Sequence, residues 1–260
     1  MVSPAARLTP GPAHREIVFL TGSGISARTG LGTFRGPDGL WALEPETEQA
    51  MHADLLPGSL PQLWKVWGRM ARIALDHGPT PGHRAIARLG APVITQNIDG
   101  LHQAAGSEVV SELHGSALRA ACLGEDCRWK LPLVPGAGSR AEDHGVPGDC
   151  PACGARTRPD VVLFDESLPQ DELDLAVRLA QRADLFVAVG TSGAVFPAAQ
   201  LAPLAAEHGA TTVLIDIAPP ETARALFDHV IAEDAHEVLP AWERSIHKVG
   251  RTSFLDPFLS

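Results

Sequence analysis

Val93-Ile94-Thr95-Gln96-Asn97-Ile98-Asp99-Gly100-Leu101-His102 is the stretch whose reading decides the fold. Val93 and Ile94 form a short apolar run, which reads as a buried strand. At its carboxyl end the chain changes abruptly to amides, a carboxylate and an imidazole. Parallel α/β sheets take their ligands beyond the carboxyl ends of strands. A second short run, Val109-Val110, ends in Glu112-Leu113-His114-Gly115. Two strand ends thus deliver Gln96, Asn97, Asp99, His102 and His114 toward one candidate place. The same residues also suit ordinary loops, with Asn97 and Asp99 as turn formers and His114 as a hydrogen-bonded loop histidine.

Working outward, strands of the same kind recur. Ile17-Val18-Phe19-Leu20 runs into Thr21-Gly22-Ser23-Gly24-Ile25-Ser26, which reads as strand, Gly-rich turn and helix start. Such a turn lets backbone amides approach a pyrophosphate, although a tight βα turn needs no ligand. Leu185-Phe186-Val187-Ala188-Val189 ends in Gly190-Thr191-Ser192-Gly193, Thr211-Thr212-Val213-Leu214-Ile215 ends at Asp216, and Val230-Ile231-Ala232 is a short last strand. Apolar spacing and glycine stops place helices at 63–76, 83–89, 171–182 and 197–208. The alternation predicts the α/β class, a doubly wound parallel Rossmann-like sheet with right-handed crossovers. Residues 29–41 form a Gly-rich stretch with Phe34, Arg35 and Trp41, either a lid over a bound cofactor or a surface loop anchored by its aromatics.

All four cysteines fall in one window: Cys122 and Cys127, then Cys150 and Cys153. Two paired sites of thiolates make a structural zinc site with no open coordination position. The expected organisation is a Rossmann-like domain from 1–37, 84–118 and 159–260. A small inserted domain is built from a helical piece at 38–83 and a zinc module at 119–158.

The formal net charge is -10 over 260 residues, with no basic stripe, so no direct nucleic-acid partner is expected. The segment before Glu16 has no apolar core of a signal peptide, and no run is long enough to span a bilayer. A cytoplasmic monomer is expected, in a compartment where thiols stay reduced.

In this order and spacing the motifs resemble the sirtuin family of bacterial type, NAD-dependent protein-lysine deacylases, from about Ile17 to Pro240. The matching pieces are Gly22-Ser23-Gly24-Ile25-Ser26 with Phe34-Arg35, then Thr95-Gln96-Asn97-Ile98-Asp99 with Leu101-His102. His114-Gly115, the paired cysteines, Arg158-Pro159 with Val161-Val162 and Phe164, and Gly190-Thr191-Ser192 before Pro197 complete them. The resemblance implies NAD as co-substrate and one structural zinc. It implies that Gly22, Ser23, Gly24, Ile25, Gly190, Thr191 and Ser192 hold the phosphates. Phe34, Arg35 and Gln96 would line the ribose, and Asp216 and Ala235 the adenosine end. Ile98 and Asp99 would hold the nicotinamide carboxamide, Asn97 would orient the ribose or a water, and His114 would act as general base. Acyl-lysine proteins would be the partners, with Val162, Leu163 and Phe164 pairing to the substrate by strand addition.

The chain departs from the family pattern at Gly32, where Pro is usual, at Asp165, where Gly is usual, and at Asp216, where Asn is usual. Acid-acyl members carry a Tyr and an Arg in the acyl pocket. Counting back from His83 puts Lys65 and Gly68 there, and the chain has no Tyr. The alternative activity for the same pocket is a protein ADP-ribosyltransferase or an NAD hydrolase.

Overall fold

The computed structural model describes residues 10, 14–31, 39–133, 148–191 and 196–248. In chain order the strands are β1 (Ile17–Thr21), β2 (Val93–Thr95), β3 (Val110–Glu112), β4 (Gly115–Cys122), β5 (Lys130–Pro132), β6 (Thr157–Val161), β7 (Leu185–Val189), β8 (Thr211–Ile215) and β9 (His229–Ile231). The helices are α1 (Leu40–Leu43), α2 (Pro45–Gln49), α3 (Leu60–His77), α4 (Pro81–Leu89), α5 (Leu101–Ala105), α6 (Gln170–Arg182), α7 (Leu201–Glu207), α8 (Ala223–Leu226) and α9 (Ala235–Lys248).

Six strands form one parallel sheet in the order β3-β2-β1-β7-β8-β9. β1 and β7 are buried at every position, which explains why they are apolar apart from Thr21 at the end of β1: a central parallel strand is covered on both faces. Ile17, Phe19, Val187 and Val213 face one layer, built on Ile86 and Leu89 of α4 and Leu239 and Trp242 of α9. Val18, Leu20, Phe186 and Leu214 face the other, built on Leu179 of α6 and Leu201 and Ala205 of α7. The strand order reverses between β1 and β7, so the crevice for a ligand opens there.

A second sheet, β5-β4-β6, is antiparallel and three-stranded. α3 covers it, burying Leu63, Val66, Trp67 and Met70 against Ala117, Val161 and Leu163. Its opposite face carries Lys65, Arg69 and Arg72 into solvent. This amphipathic split is what keeps an isolated sheet of three short strands folded.

The structure moves several expected limits. β4 runs across the boundary at 118/119 and β6 across that at 158/159, so the ribbon's sheet reaches Gly115 and Val161. α4 begins before the boundary at 83/84 and packs its whole inner face on the Rossmann layer. The helix expected at 197–208 is a short 3-10 turn, Ala198–Gln200, followed by α7. α9 has no counterpart in the sequence reading. Pro240 lies inside it and masks the helical signal.

Candidate active site

The switch point is held by glycine. The turn after β1 is a 3-10 helix, Ser23–Thr29, rather than the start of an α-helix. Gly22 N donates to Val189 O at 3.0 Å and Gly24 N to Gly190 O at 2.9 Å. A Cβ on Gly24 would stand 2.5 Å from Gly190 Cα, and Gly190 itself sits at φ 57°. The two loops therefore touch backbone to backbone, a contact that no side chain allows. Ile25 is fully buried under them. Thr191 Oγ1 accepts from Gln96 Nε2 at 2.9 Å, tying the β7 loop to the β2 loop. Phe34, Arg35 and Ser192 lie outside the described residues, as does most of the chain between the cysteine pairs.

Below this crevice is a small cavity lined by Ser23, Ser26, Leu31, Met70, Ala71, Asn97, Ile98, Asp99 and Ala117. Its polar wall is a closed network. Asn97 Nδ2 donates to Gly22 O at 3.0 Å and to Ser26 Oγ at 3.2 Å. Ser26 Oγ donates to Asp99 Oδ2 at 2.7 Å, and Leu101 N to Asp99 Oδ1 at 3.0 Å. Both donors of the Asn97 amide are thus committed, and its Oδ1 has no partner among the described residues. Burial pushes the Asp99 carboxyl up, against the pull of Ser26 and Leu101. Each Asp99 oxygen keeps a second lone pair for a ligand N–H.

Gln96 does something that sequence reasoning did not assign to it. Its backbone carbonyl accepts from His114 Nδ1 at 2.8 Å. A carbonyl only accepts, so Nδ1 carries the proton and Nε2 is left with its lone pair. Nε2 has no partner among the described residues. Burial lowers the His114 pKa, and the Gln96 carbonyl offsets part of this.

Behind the cavity a hydroxyl relay supports the loop. His102 Nε2 meets Thr21 Oγ1 at 2.9 Å, Thr21 Oγ1 donates to Thr95 Oγ1 at 2.9 Å, and Asn97 N donates to Thr95 Oγ1 at 3.1 Å. His102 is completely enclosed, which pulls its pKa down to about 3. Its ring stands edge-on to that of His83, 4.6 Å away. Thr21, Ser26 and Thr95 were legible only as polar residues at strand ends, a signal too common to select them.

Asp216 and Ala235 lie at the carboxyl edge of β8 and just after β9. Asp216 Oδ1 accepts from Ala218 N at 2.8 Å, and Ala235 opens α9 in a buried position.

The four cysteine sulfurs all lie within 4.8 Å of one another, with Cys122 to Cys153 at 3.4 Å and Cys127 to Cys150 at 3.8 Å. Zinc–sulfur bonds of about 2.3 Å in a tetrahedron separate the sulfurs by about 3.8 Å. The four thiols fit a structural zinc, and these distances are far too long for disulfides. The ribbon is tied to the Rossmann sheet by Arg119, which bridges Glu112 of β3 and Asp160 of β6.

The expected substrate strand lies beside His114, with part of its backbone engaged within the protein. Val162 N donates to His114 O at 3.0 Å, so the segment does run alongside His114. Yet Phe164 N donates to Met51 O and Phe164 O accepts from Ala53 N, while Leu163 N and O are both taken by Glu166. The edge at Leu163 and Phe164 is therefore already paired by the protein itself. Along α3, Lys65 is exposed, and the residues that line the cavity are Met70 and Ala71.

Sheet order, a switch point closed by glycine, a buried amide–carboxylate cavity and a histidine tethered to the loop that lines it place the chain among dinucleotide-binding α/β proteins with a zinc-ribbon insertion. The model described as the Sir2 family matches residues 22–197, and the chain belongs to that family, the sirtuins. It is 42% identical over 246 residues to NAD-dependent protein deacylase 2 of Pyrobaculum aerophilum, covering 92% of this chain and 94% of that protein. It is 41% identical to NAD-dependent protein deacylase 1 of Pseudomonas aeruginosa, covering 87% and 92%. Among solved structures it is similar to a Sir2 homolog in complex with NAD, with a TM-score of 0.79 at 33% identity over 91% of both chains. A Sir2 structure with a p53 peptide and NAD⁺ gives 0.71 at 30% identity over 90% and 94%.

Proposed function

We propose that this protein is an NAD-dependent protein-lysine deacylase, with His114 as its general base. The observation that carries the reading is the His114 tautomer: Nδ1 is held by the carbonyl of Gln96, the neighbour of the cavity residue Asn97, so Nε2 is the basic atom. The family relatives support the reaction class.

Gly22, Ser23, Gly24, Ile25, Gly190 and Thr191 would hold the phosphates of NAD, with Ser192, Phe34 and Arg35 contributing from outside the described residues. Gln96 would contact the ribose, and Asp216 and Ala235 the adenosine end. NAD supplies a glycosidic bond whose cleavage releases nicotinamide and leaves ADP-ribose to accept the acyl group. The protein's own part is positioning, water exclusion and one proton. Asp99 accepts the carboxamide N–H of nicotinamide beside Ile98. Asn97 offers only its Oδ1, because both its N–H groups are committed. Leu31, Met70, Ile98 and Ala117 give the cavity apolar walls that exclude water. His114 Nε2 takes a proton from a ribose hydroxyl, a task suited to an imidazole kept neutral by burial.

The chemistry belongs to a cytoplasmic monomer acting on acylated proteins. Four reduced thiols suit that compartment, and no helix among the described residues is long and apolar enough to cross a membrane. A protein ADP-ribosyltransferase or NAD hydrolase would use the same cavity. Mass spectrometry of the products from NAD and an acetyl-lysine peptide separates them. Acetyl-ADP-ribose with free lysine supports deacylation. A peptide heavier by ADP-ribose, or ADP-ribose beside intact acetyl-lysine, supports the second reading.

A further inference from the structure

Asp165 is the one non-glycine residue with positive φ among the described residues, at 70°. Aspartate tolerates that conformation better than most side chains but still bears strain in it. The position is therefore held by its surroundings. His52 Nδ1 donates to Asp165 Oδ2 at 2.9 Å, a direction fixed because an ionised carboxylate only accepts. The His52 ring in turn lies against Phe164, 5.2 Å between centroids. The carboxylate is thus oriented by an imidazole, yet its side chain is 75% exposed.

Leu163 and Phe164 have their peptide groups engaged, as described above. Asp165 and Ser167 are exposed, lie outside any strand or helix, and have no hydrogen-bond partner for their peptide groups among the described residues. The open edge of this segment therefore begins at Asp165. Val162 is bonded to His114, and Asp165 is three residues on, in the turn that Glu166 N closes onto Leu163 O. A peptide added to that edge with its acyl-lysine beside His114 would pass its neighbouring residues over the Asp165 carboxylate. The adjacent acid, Glu166, does not compete, because Arg158 holds it through both carboxylate oxygens.

We propose that Asp165 is a specificity-determining residue that selects peptides with a cationic side chain next to the acyl-lysine and disfavours acidic ones. This rests on the deacylase reading and adds to it the charge of the substrate sequence. An exposed charge pair typically changes an equilibrium by about 1.4- to 5-fold, and a like-charge pair acts in the opposite sense. The ratio of kcat/KM for an Arg-flanked over a Glu-flanked peptide should then reach roughly tenfold.

The test is kcat/KM with NAD on acetyl-lysine peptides that differ only in Arg, Ala or Glu at the flanking positions. The enzymes are the wild type, Asp165→Asn and Asp165→Gly, with thermal unfolding of each. Asn keeps the shape and tolerance of positive φ without the charge; Gly removes the strain as well. The expected result is an Arg-over-Glu preference in the wild type that falls toward unity in both variants. In the wild type it should also shrink as the Debye length drops from about 30 Å to about 3 Å with added salt. A preference unchanged in both variants, or absent from a wild type that deacylates all three peptides, overturns this inference alone. A wild type that deacylates none of them overturns the deacylase reading and this inference together. If one variant fails to fold, the other and the salt series decide.

Discussion

His114 Nδ1 donates to the backbone carbonyl of Gln96 at 2.8 Å, and this bond joins the ends of two neighbouring strands. It fixes the ring orientation and the tautomer through a main-chain atom, so no side-chain substitution at position 96 can remove it. The catalytic proposal follows from that fixed lone pair, and so does its pH dependence.

Burial lowers the His114 pKa from its ordinary value of 6.5, with the Gln96 carbonyl raising it part of the way back. The basic form therefore persists to lower pH than for a free histidine. The acid limb of kcat/KM should lie below about 6.5. A pH–rate profile checks it; an acid limb above 7 would mean that His114 is not the titrating base.

His102 and His83 are buried in the neutral form, His102 with its pKa at about 3. Unfolded histidine titrates near 6.5. Between those values the unfolded chain binds protons that the folded chain refuses. Their contribution to stability is full above about pH 6.5 and is lost as pH falls, by up to about 1.4 kcal/mol per pH unit for each group. Urea unfolding at a series of pH values should show this slope, and His102→Asn should flatten it. An equal slope in wild type and variant would count against the buried neutral assignment.

One zinc per chain should copurify with Cys122, Cys127, Cys150 and Cys153. Cys150→Ala should lose the metal and lower the melting temperature, because metal binding and folding of such a module are coupled. Metal analysis with calorimetry reads both. A metal-free wild type with unchanged stability would remove zinc from the account.

Neutral acyl groups should be preferred over acidic ones. Met70 and Ala71 line the cavity while Lys65, Arg69 and Arg72 of the same helix are exposed, and Arg69 is engaged by Glu44. A buried succinyl carboxylate without a cation loses several kcal/mol of solvation, whereas each buried methylene gains about 0.8 kcal/mol. On one peptide, kcat/KM for acetyl- and butyryl-lysine should exceed that for succinyl-lysine at least about tenfold. Equal rates would mean that a cation of α3 reaches the pocket.

Much of this was legible in the chain itself, for particular reasons. β1, β7 and β8 announce themselves because strands covered on both faces carry long apolar runs, with threonine only at an end of β1 and β8. The Thr95 to Asp99 loop stands out because polar residues follow a buried strand without transition. β4 did not: Gly115-Ser116-Ala117-Leu118-Arg119-Ala120-Ala121-Cys122 has small residues and no clean alternation, so its place in a second sheet depends on α3 and the zinc module. The Val162 to Phe164 run reads as a strand beside the site, but the sequence does not show that Phe164 pairs with Met51 and Ala53, which lie more than a hundred residues earlier, or that Leu163 N bonds the Glu166 side chain. The Gln96 carbonyl was invisible for the same reason, since a backbone atom has no sequence signature.

The most direct measurement of the central claim compares wild type with His114→Ala. Turnover of an acetyl-lysine peptide is measured at saturating NAD, and NAD affinity is measured separately by calorimetry. The account predicts a fall in kcat of about 10²–10⁴-fold with NAD affinity nearly unchanged. Near-normal turnover by His114→Ala would contradict it.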